Sequence, residues 1–216
     1  MTDVNIKKLK VVFVDWFVTL TSTMFLSKLK QRDPELFEKI DNKIFVENFD
    51  TWHFDWARGR ISKEDVAYLI AAEGYTSYGE VLKIFDECCS IQQVDHPDKL
   101  WPVVDKIRAK GIKVVLATDN WDIFCDYTVP ALKLREHFDE ILSSNELGFI
   151  KRDMHDGRLF FFDDYLKDNH IAYEEAVLLD DAPVNIDCCE VCGMPAKLVA
   201  SSADTLEVLK EIAEAE

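Results

Sequence analysis

Acidic, hydroxyl and basic side chains follow short apolar segments at four places in this sequence. They are Asp15, Thr118, Lys151 and the pair Asp180-Asp181. A short continuous run of strand-forming apolar residues, such as Val11–Val14, predicts a strand that is buried on both faces, as in a parallel sheet. The carboxyl ends of parallel strands open onto the crevice where α/β proteins bind ligands. We therefore expect these side chains to converge on one pocket.

Acidic residues, a cation and a hydroxyl together suit a site that binds phosphate through a hard metal ion. Carboxylate oxygens bind Mg²⁺, which keeps some of its waters and shares the phosphate. Lys151 could offset the charge of both nucleophile and substrate, and the Asp15 carboxylate is a competent nucleophile at phosphorus or at saturated carbon. Each residue also has a simpler explanation. Asp15 and Asp181 could cap the elements beside them, Thr118 could satisfy a backbone group, and Lys151 could be a solvated charge.

These residues lie in a chain that alternates between strand and helix patterns. Buried strands are predicted at residues 11–14, 113–118, 140–144, 176–179 and 196–199. Amphipathic helices are predicted at 100–110, at 119–138 with a break at Pro130, at 159–166, at 185–192, and from Ser202 or Asp204 to Ile212. Asp119 and Asn120 are suited to cap the second of these helices. The alternation predicts the α/β class, with a mostly parallel sheet and helices on both faces.

Residues 22–92 differ from the rest because they contain no strand pattern of comparable strength. Helices are predicted over Pro34–Phe49, after the cap-like Ser62, and over Gly79–Cys89, which indicates a helical insert after the first strand. The aromatic cluster of this insert is Phe49, Trp52, Phe54 and Trp56. Core packing is the default role of these rings, and a wall facing the substrate is the alternative. Arg58 and Arg60 are surface charges by default and substrate contacts in the alternative.

The overall composition excludes several classes of partner. The formal net charge is −16 over 216 residues, so the chain repels phosphate backbones, and neither a nucleic acid nor an anionic membrane is expected as a partner. A small anionic substrate would need a metal ion or a local cation. No apolar run approaches the roughly 20 residues that span a bilayer, and Met1–Lys10 lacks the apolar core of a signal peptide. We therefore expect a cytoplasmic protein.

Six cysteines are present, namely Cys88, Cys89, Cys125, Cys188, Cys189 and Cys192. Two adjacent pairs favour reduced, buried thiols over a disulfide framework in a chain of this length. Cys189 and Cys192 form a C-x-x-C motif, but it lies in a predicted helix beside Asp187 and Glu190, whose charges would raise the thiol pKa. A redox site or a zinc site is therefore less favoured than small buried side chains.

Four segments resemble, in their order, the motifs of the haloacid dehalogenase-like (HAD) hydrolase superfamily. They are residues 14–20 (VDWFVTL), 116–120 (LATDN), 146–151 (ELGFIK) and 178–185 (LLDDAPVN). Gly193-Met194-Pro195 also resembles the turn before the last core strand of that family. The resemblance implies a Rossmann-like core formed by residues 1–21 and 93–216, and a helical cap formed by residues 22–92.

The resemblance also implies roles for individual residues. Asp15 would be the nucleophile, and Thr118 and Lys151 would bind the transferred group. The Mg²⁺ ligands would be Asp15, the Phe17 carbonyl, Asp180 and Asp181. The substrate contacts would include the neighbouring residues Thr19, Asp119 and Asn120. The partner would then be a small phosphorylated molecule.

The main departure from the family is Phe17. Phosphatases of the family carry a second Asp at this position as general acid and base, a contribution of about 10²–10⁴-fold, and a phenyl ring cannot transfer a proton. Val18 replaces the usual Gly, and Arg152 replaces the usual Pro after the motif Lys. The haloacid dehalogenases of the family also lack the second Asp, but they use no metal and have no Asp pair in the fourth motif.

Three functions remain compatible with this pattern. The favoured one is a Mg²⁺-dependent hydrolase that acts on a small phosphorylated metabolite through an aspartyl-phosphate, with weakened acid–base chemistry. A binding or regulatory protein that keeps the fold without turnover would explain Phe17 and the altered neighbours together. A metal-independent 2-haloacid dehalogenase would explain Phe17 but not Asp180-Asp181.

Overall fold

A five-stranded parallel sheet lies at the centre of the structure, a computed structural model that describes residues 6–215. The strands are β1 (Val11–Val14), β2 (Lys113–Thr118), β3 (Glu140–Ser143), β4 (Met154–His155), β5 (Arg158–Leu159), β6 (Ala176–Asp180) and β7 (Ala196–Leu198). The central sheet has the order β3-β2-β1-β6-β7, and all its neighbouring pairs are parallel. The five predicted strands are confirmed, whereas the β4–β5 hairpin was not predicted.

Helices cover both faces of this sheet. They are α1 (Ser27–Arg32), α2 (Pro34–Asn42), α3 (Phe54–Ala57), α4 (Lys63–Ala72), α5 (Tyr78–Ser90), α6 (Pro97–Ala109), α7 (Val129–Ala131), α8 (Leu134–His137), α9 (Ser144–Leu147), α10 (Phe160–Asp168), α11 (Pro183–Val191) and α12 (Ser202–Glu214). Side chains of α6 and α12 pack on one face, and those of α10 and α11 pack on the other. The predicted α/β class, a Rossmann-like parallel sheet between helices, is confirmed.

Strand β1 lies in the middle of the sheet and is completely buried. Val12 and Val14 pack against α6 and α12 on one face, whereas Val11 and Phe13 pack against α10 and α11 on the other. All four side chains are 0% exposed. Full burial of such a side chain stabilises the fold by about 1.5–3 kcal/mol. Strand β1 therefore holds Asp15, the residue that follows it, in a fixed position.

The segment between β1 and β2 is helical, as predicted, and packs around an apolar cluster of its own. The regular helix predicted over Pro34–Phe49 is wrong in its second half, because wide π-helical turns occupy Lys43–Glu47 and Phe49–His53. The Asn48 side-chain amide donates a hydrogen bond to the Lys43 carbonyl at 2.9 Å. Such a bond from side chain to backbone competes with regular helical bonding.

Side-chain caps define where two of the predicted helices begin. Ser62 Oγ accepts a hydrogen bond from the Asp65 N–H at 3.2 Å, and the Asp65 carboxylate accepts one from the Ser62 N–H at 2.9 Å. This reciprocal capping box confirms the predicted start of α4. The cap predicted at Ser202 or Asp204 is wrong, because the cap is Ser201, whose Oγ accepts the hydrogen bond from the Asp204 N–H at 3.2 Å.

The helical segment after β2 breaks three residues later than predicted. Pro130 lies in the first turn of α7, where the missing N–H of proline is tolerated. The chain instead turns at Lys133, whose φ of +52° is left-handed, and α8 begins at the next residue. A lysine in this conformation has no sequence pattern that would mark the break.

Close contacts fix the helical segment against the core near the ends of β2 and β3. Gly59 has a φ of +65°, and a Cβ at this position would lie 2.3 Å from the Asn145 carbonyl oxygen. The Asn145 amide donates to the Trp56 carbonyl at 2.8 Å, and Trp56 Nε1 donates to the Asp122 carboxylate at 2.7 Å. No residue other than glycine fits between these backbones.

Predictions on targeting and thiol chemistry have mixed outcomes. The prediction that Met1–Lys10 is not a signal peptide falls partly on residues 1–5, which lie outside the described residues. Among residues 6–215, no helix combines the length and the apolar character that crossing a bilayer requires.

The six cysteines are free; three are buried as predicted, but Cys125, Cys188 and Cys192 are partly exposed. Burial raises the pKa of the Cys188 and Cys192 thiols, which disfavours the reactive thiolate.

Val18 is the one described residue of the turn after β1 that stands in a strained backbone conformation. Its φ is +64°, a left-handed geometry that costs an L-residue roughly 1–2 kcal/mol. Glycine adopts this geometry freely but loses more entropy on folding. We expect Val18→Gly to raise the free energy of unfolding by about 0.5–1 kcal/mol. Urea denaturation measures this change, provided that the m value stays the same as in the wild type.

Val46→Gly is the matched control because Val46 is 67% exposed and lies in a right-handed helical turn. This substitution should lower the free energy of unfolding by a few tenths of a kcal/mol, as helix propensity requires. Equal destabilisation by the two glycine substitutions would contradict strain at Val18.

Candidate active site

The acidic residues of the first and fourth motifs lie where the strand order of the sheet reverses. Chain order runs from β1 outward to β2 and β3 on one side, and β6 and β7 lie on the other side. Asp15 follows β1, its N–H donates to the Leu179 carbonyl of β6 at 3.0 Å, and Asp180 ends β6. This switch point is the usual ligand crevice of an open α/β sheet.

Lys151 joins these two carboxylates. Its Nζ lies 2.5 Å from Asp15 Oδ1 and 2.5 Å from Asp180 Oδ2, and it also donates to the Ala117 carbonyl at 3.3 Å. The residue is 1% exposed. Its backbone N–H donates to Asp119 Oδ1 at 2.9 Å, which holds the loop that carries it. The structure thus rules out the simpler explanation of Lys151 as a solvated surface charge.

The electrostatics of this cluster follow from burial and from an excess of carboxylates. Burial raises the pKa of Asp15 to about 7; the Lys151 ammonium opposes this shift and the Asp180 charge adds to it. Burial disfavours the Lys151 ammonium, but the carboxylates around it outweigh burial and raise the pKa of Lys151 above its ordinary value. Burial and the Asp180 charge also raise the pKa of Asp181. The cluster therefore favours any ligand that brings positive charge.

Asp15, Asp180 and Asp181 can supply ligands to a metal ion. Each offers one carboxylate oxygen, and these three atoms lie within 4.8 Å of one another. Three carboxylates beside one Lys151 ammonium carry two net negative charges when all are ionised. An oxygen-only donor set with this charge fits a hard divalent cation such as Mg²⁺.

Asn185 is a member of the site to which the sequence assigned no role. It is 5% exposed, and its Nδ2 donates to both oxygens of Asp180 at 3.1 Å. Asp180 Oδ1 also accepts from the Ala182 N–H at 2.8 Å. These bonds fix the orientation of the Asp180 carboxylate. Its place at the start of the helix predicted over 185–192, one turn after the acidic pair, was the available indication.

The structure places the other predicted site residues around this cluster without assigning their roles. Thr118 is 2% exposed and ends β2, and its Oγ1 accepts from Asn120 Nδ2 at 3.4 Å. Thr19 is buried, and its Oγ1 has no hydrogen-bond partner among residues 6–215. Phe17 is 46% exposed beside Asp15. The four segments of the sequence pattern thus meet at one edge of the sheet.

The helix cap predicted for Asp119 is wrong. Its carboxylate accepts the Lys151 backbone N–H instead, so it links the second and third motif segments. Asn120 behaves more nearly as expected, because its Oδ1 accepts from the Trp121 N–H at 3.0 Å. Asp122 Oδ1 then accepts from the Ile123 N–H at 2.8 Å, at the point where the helical segment begins.

The arginines of the helical segment have structural partners. Arg58 forms a two-pronged ion pair with Asp153, with contacts of 2.9 and 2.6 Å, and Arg60 Nη1 donates to Asp55 at 2.9 Å. Of the predicted aromatic cluster, Trp56 is 0% exposed and its ring stacks on Trp121 at 4.4 Å. These contacts give no support to Arg58 or Arg60 as substrate contacts.

A cavity of about 280 Å³ opens beside the acidic cluster, between the helical segment and the core. We call it the aromatic cavity. Its walls are Trp16, Phe17, Thr23, Met24, Phe25, Leu26, Phe37, Asp41, Phe45, His53, Cys89, Gln92, Asp119, Asn120, Trp121, Ile123, Phe124 and Thr128. None of the four rings of the predicted aromatic cluster is among them. The face that each helix turns towards the cavity decides which side chains line it, and the π-helical turns change that face. Phe17, Asp119 and Asn120 form the side nearest the acidic residues.

No protein-family model matches this sequence, and no curated protein matches it. Solved structures do match the fold. A predicted HAD-like family hydrolase from Porphyromonas gingivalis has a TM-score of 0.68 and 14% identity, over 97% of this chain and 100% of that one. A HAD family enzyme from Bacteroides thetaiotaomicron, in complex with magnesium and inorganic phosphate, has a TM-score of 0.65 and 17% identity, over 88% and 93%.

A third similar structure represents a different reaction. The L-2-haloacid dehalogenase from Xanthobacter autotrophicus, with chloropropionic acid covalently bound, has a TM-score of 0.60 and 12% identity, over 88% of this chain and 77% of that one. At these identities the likeness shows the fold. Phosphate-binding and dehalogenating proteins share it, so the chemistry must be argued from this chain's own residues. This chain has the fold of the haloacid dehalogenase-like hydrolases.

Proposed function

We propose that this chain is a Mg²⁺-dependent hydrolase that removes the phosphoryl group from a small phosphorylated molecule. The observation that supports this proposal is the group of three carboxylates within 4.8 Å of one another, together with Lys151 Nζ at 2.5 Å from Asp15 and Asp180. A dehalogenation site needs no residues that bind a metal cation. A phosphate ester, by contrast, needs its negative charge neutralised before a carboxylate can approach it.

In the proposed reaction, Asp15 is the nucleophile. One Asp15 oxygen forms a bond to phosphorus while the bond from phosphorus to the ester oxygen breaks, and the leaving alcohol takes the electron pair. Water then attacks the phosphorus of the aspartyl-phosphate and regenerates Asp15 with release of inorganic phosphate. Lys151 stays charged throughout; its contact with Asp15 orients the carboxylate and favours the ionised form that attacks. Mg²⁺, when bound, would neutralise phosphate charge.

The identity of residue 17 restricts the substrates that this site can use. Phe17 is half exposed beside Asp15 and supplies no proton to the leaving oxygen. General acid catalysis typically contributes about 10²–10⁴-fold, so we infer that leaving groups stable as anions react faster. The placement of Thr118, Thr19 and Asn120 at the same sheet edge supports their proposed contacts to the phosphoryl group and substrate.

Two other functions make different predictions. A metal-independent 2-haloacid dehalogenase agrees with Phe17 and with the Xanthobacter autotrophicus structure, but it leaves Asp180 and Asp181 without a purpose. Chloride release from 2-chloropropionate in EDTA would identify it. A binding protein without turnover also agrees with Phe17, and turnover of any phosphate ester excludes it.

The test of the proposal measures metal binding and turnover separately. Saturating Mg²⁺ should raise the melting temperature by about 5–10 °C at 100 times its Kd, since such a ligand contributes about 2.7 kcal/mol. Mg²⁺ should also switch on hydrolysis of 4-nitrophenyl phosphate. Asp181→Asn should lose most of both effects because it removes one of the three proposed ligands.

Asp187→Asn is the matched control. Asp187 lies on α11 near the site, is exposed, and is not part of the carboxylate cluster. This variant should keep the Mg²⁺ response of the wild type. Unchanged melting and unchanged hydrolysis on addition of Mg²⁺ to the wild type would contradict the proposed metal dependence.

A further inference from the structure

The aromatic cavity lies next to the acidic cluster but includes none of its three clustered carboxylates. Phe17 and Asn120, which flank the cluster, form part of its wall. A group joined to a phosphoryl unit at Asp15 would therefore extend into this space. At about 280 Å³ the cavity exceeds the roughly 150 Å³ in which benzene binds to an engineered protein cavity. It has room for one ring with a short substituent.

The walls of the cavity are suited to an aromatic ring. Trp121 contacts Phe25 edge-on, with centroids 5.0 Å apart, and Phe45 at 5.5 Å. The His53 ring meets Trp121 edge-on at 5.4 Å. A ring that enters between such side chains gains the offset and edge-on contacts that aromatic groups prefer.

Asp41 is the main charged group of this cavity away from the acidic cluster. Its half-buried carboxylate forms no hydrogen bond or ion pair with the described residues, and burial raises its pKa above the ordinary value. Lys30 opposes that shift from a distance, but it is exposed and does not line the cavity. No lysine or arginine of residues 6–215 lines it. A ligand with its own cation would satisfy Asp41.

His53 supplies a second polar group without a partner. Its Nδ1 is buried and makes no hydrogen bond within the described part of the chain. Burial, together with the charge of Arg152, lowers the pKa of His53 to about 4. The ring is therefore neutral at pH 7 and does not repel a cation.

We propose that the aromatic cavity binds the leaving-group half of the substrate, and that this half is a phenol ring bearing a positively charged amine that reaches Asp41. The inference rests on the proposed phosphoryl chemistry at Asp15. It also accounts for Phe17. A phenol, with a pKa of about 10, leaves as its anion far more readily than an alcohol whose pKa is closer to the 15.7 of water. The ester bond therefore breaks without an acid at position 17.

The test begins with binding of the leaving groups alone, measured by calorimetry and by tryptophan fluorescence. The probes are tyramine, 4-ethylphenol, 4-hydroxyphenylacetate and butylamine. Tyramine should bind about 10- to 100-fold more tightly than 4-ethylphenol, because a hydrogen bond to a charged group has this effect. The carboxylate probe and the aliphatic amine should bind more weakly than 4-ethylphenol and tyramine respectively.

Asp41→Asn should remove the preference for tyramine over 4-ethylphenol and leave the binding of 4-ethylphenol within about twofold. Glu38→Gln is the matched control, since Glu38 lies on the same helix, is exposed and does not line the cavity. It should keep the preference. Melting temperatures of both variants verify folding.

The outcomes separate this inference from the proposed hydrolase. Selective tyramine binding that depends on Asp41, with no hydrolysis of tyramine O-phosphate or 4-nitrophenyl phosphate, would support the cavity assignment and overturn the hydrolase. Hydrolysis of 4-nitrophenyl phosphate with equal binding of the three phenols would overturn the inference and keep the hydrolase. Butylamine binding as tight as that of tyramine would also overturn it, because the ring would then contribute nothing.

Discussion

Asp15→Asn should lower kcat for hydrolysis of 4-nitrophenyl phosphate by about 10⁴-fold or more, the scale of loss seen when a covalent nucleophile is removed. Asparagine keeps the shape of the side chain but has no anionic oxygen to form the aspartyl-phosphate. Lys151 would retain its contact with Asp180 at 2.5 Å and its bond to the Ala117 carbonyl. The site should therefore stay assembled while the chemical step is lost.

The measurement is single-turnover and steady-state kinetics at saturating Mg²⁺, with acid-quench trapping of the phosphorylated protein. Wild type should form a covalent phosphoenzyme and Asp15→Asn should not. Asp163→Asn is the matched control. Asp163 lies on α10 and is another largely buried aspartate whose carboxylate is bound by two cations, Arg158 and Lys167. Its activity should remain within a few-fold of wild type. Residual turnover of Asp15→Asn near the wild-type rate would exclude Asp15 as nucleophile.

The convergence of Asp15 and Asp180 could be predicted from sequence because it depends on local patterns and one geometric rule. Runs of buried apolar residues define parallel strands, and parallel strands end on the same edge of their sheet. The register of β1 between β2 and β6 then places Asp15 level with the end of β6. Nothing more detailed than strand order was needed for this result.

Lys151 could be placed only through its resemblance to a motif. It lies in a turn after α9 rather than at a strand end, and its depth depends on a long-range bond between its backbone N–H and Asp119. A surface charge and a buried ion pair have the same local sequence. The difference lies in contacts between residues 136 positions apart, such as Lys151 with Asp15.

The aromatic cavity could not be predicted from the sequence, because it depends on how the helices are rotated relative to one another. The Asn48 side chain and the π-helical turns at Lys43–Glu47 and Phe49–His53 shift the faces of the helical segment. Phe45 and His53 consequently line the cavity, whereas Trp56 packs on Trp121 outside it. Periodicity assumes a regular helix, so it could not show which aromatic rings would line the cavity.

Phe17→Asp should raise kcat/KM for an alkyl phosphate, such as 2-phenylethyl phosphate, by about 10²–10⁴-fold, the usual range for a positioned general acid. Phe17 is 46% exposed, so the fold should accept the change. The gain for 4-nitrophenyl phosphate should be much smaller, because nitrophenolate leaves without protonation. Kinetics with both esters measure the difference, and Phe17→Asn is the matched control that adds polarity without an acid.

The same substitution separates the hydrolase from the binding protein, because Phe17 both lacks a transferable proton and lines the aromatic cavity. If wild type hydrolyses aryl esters, Phe17→Asp should shift its preference towards alkyl esters and weaken the binding of phenols. If wild type hydrolyses no ester and Phe17→Asp does, the chain is a binding protein whose residue 17 blocks turnover. Equal rates for Phe17→Asp and Phe17→Asn would mean that side chain 17 does not reach the leaving oxygen. The link between Phe17 and a phenol substrate would then be lost.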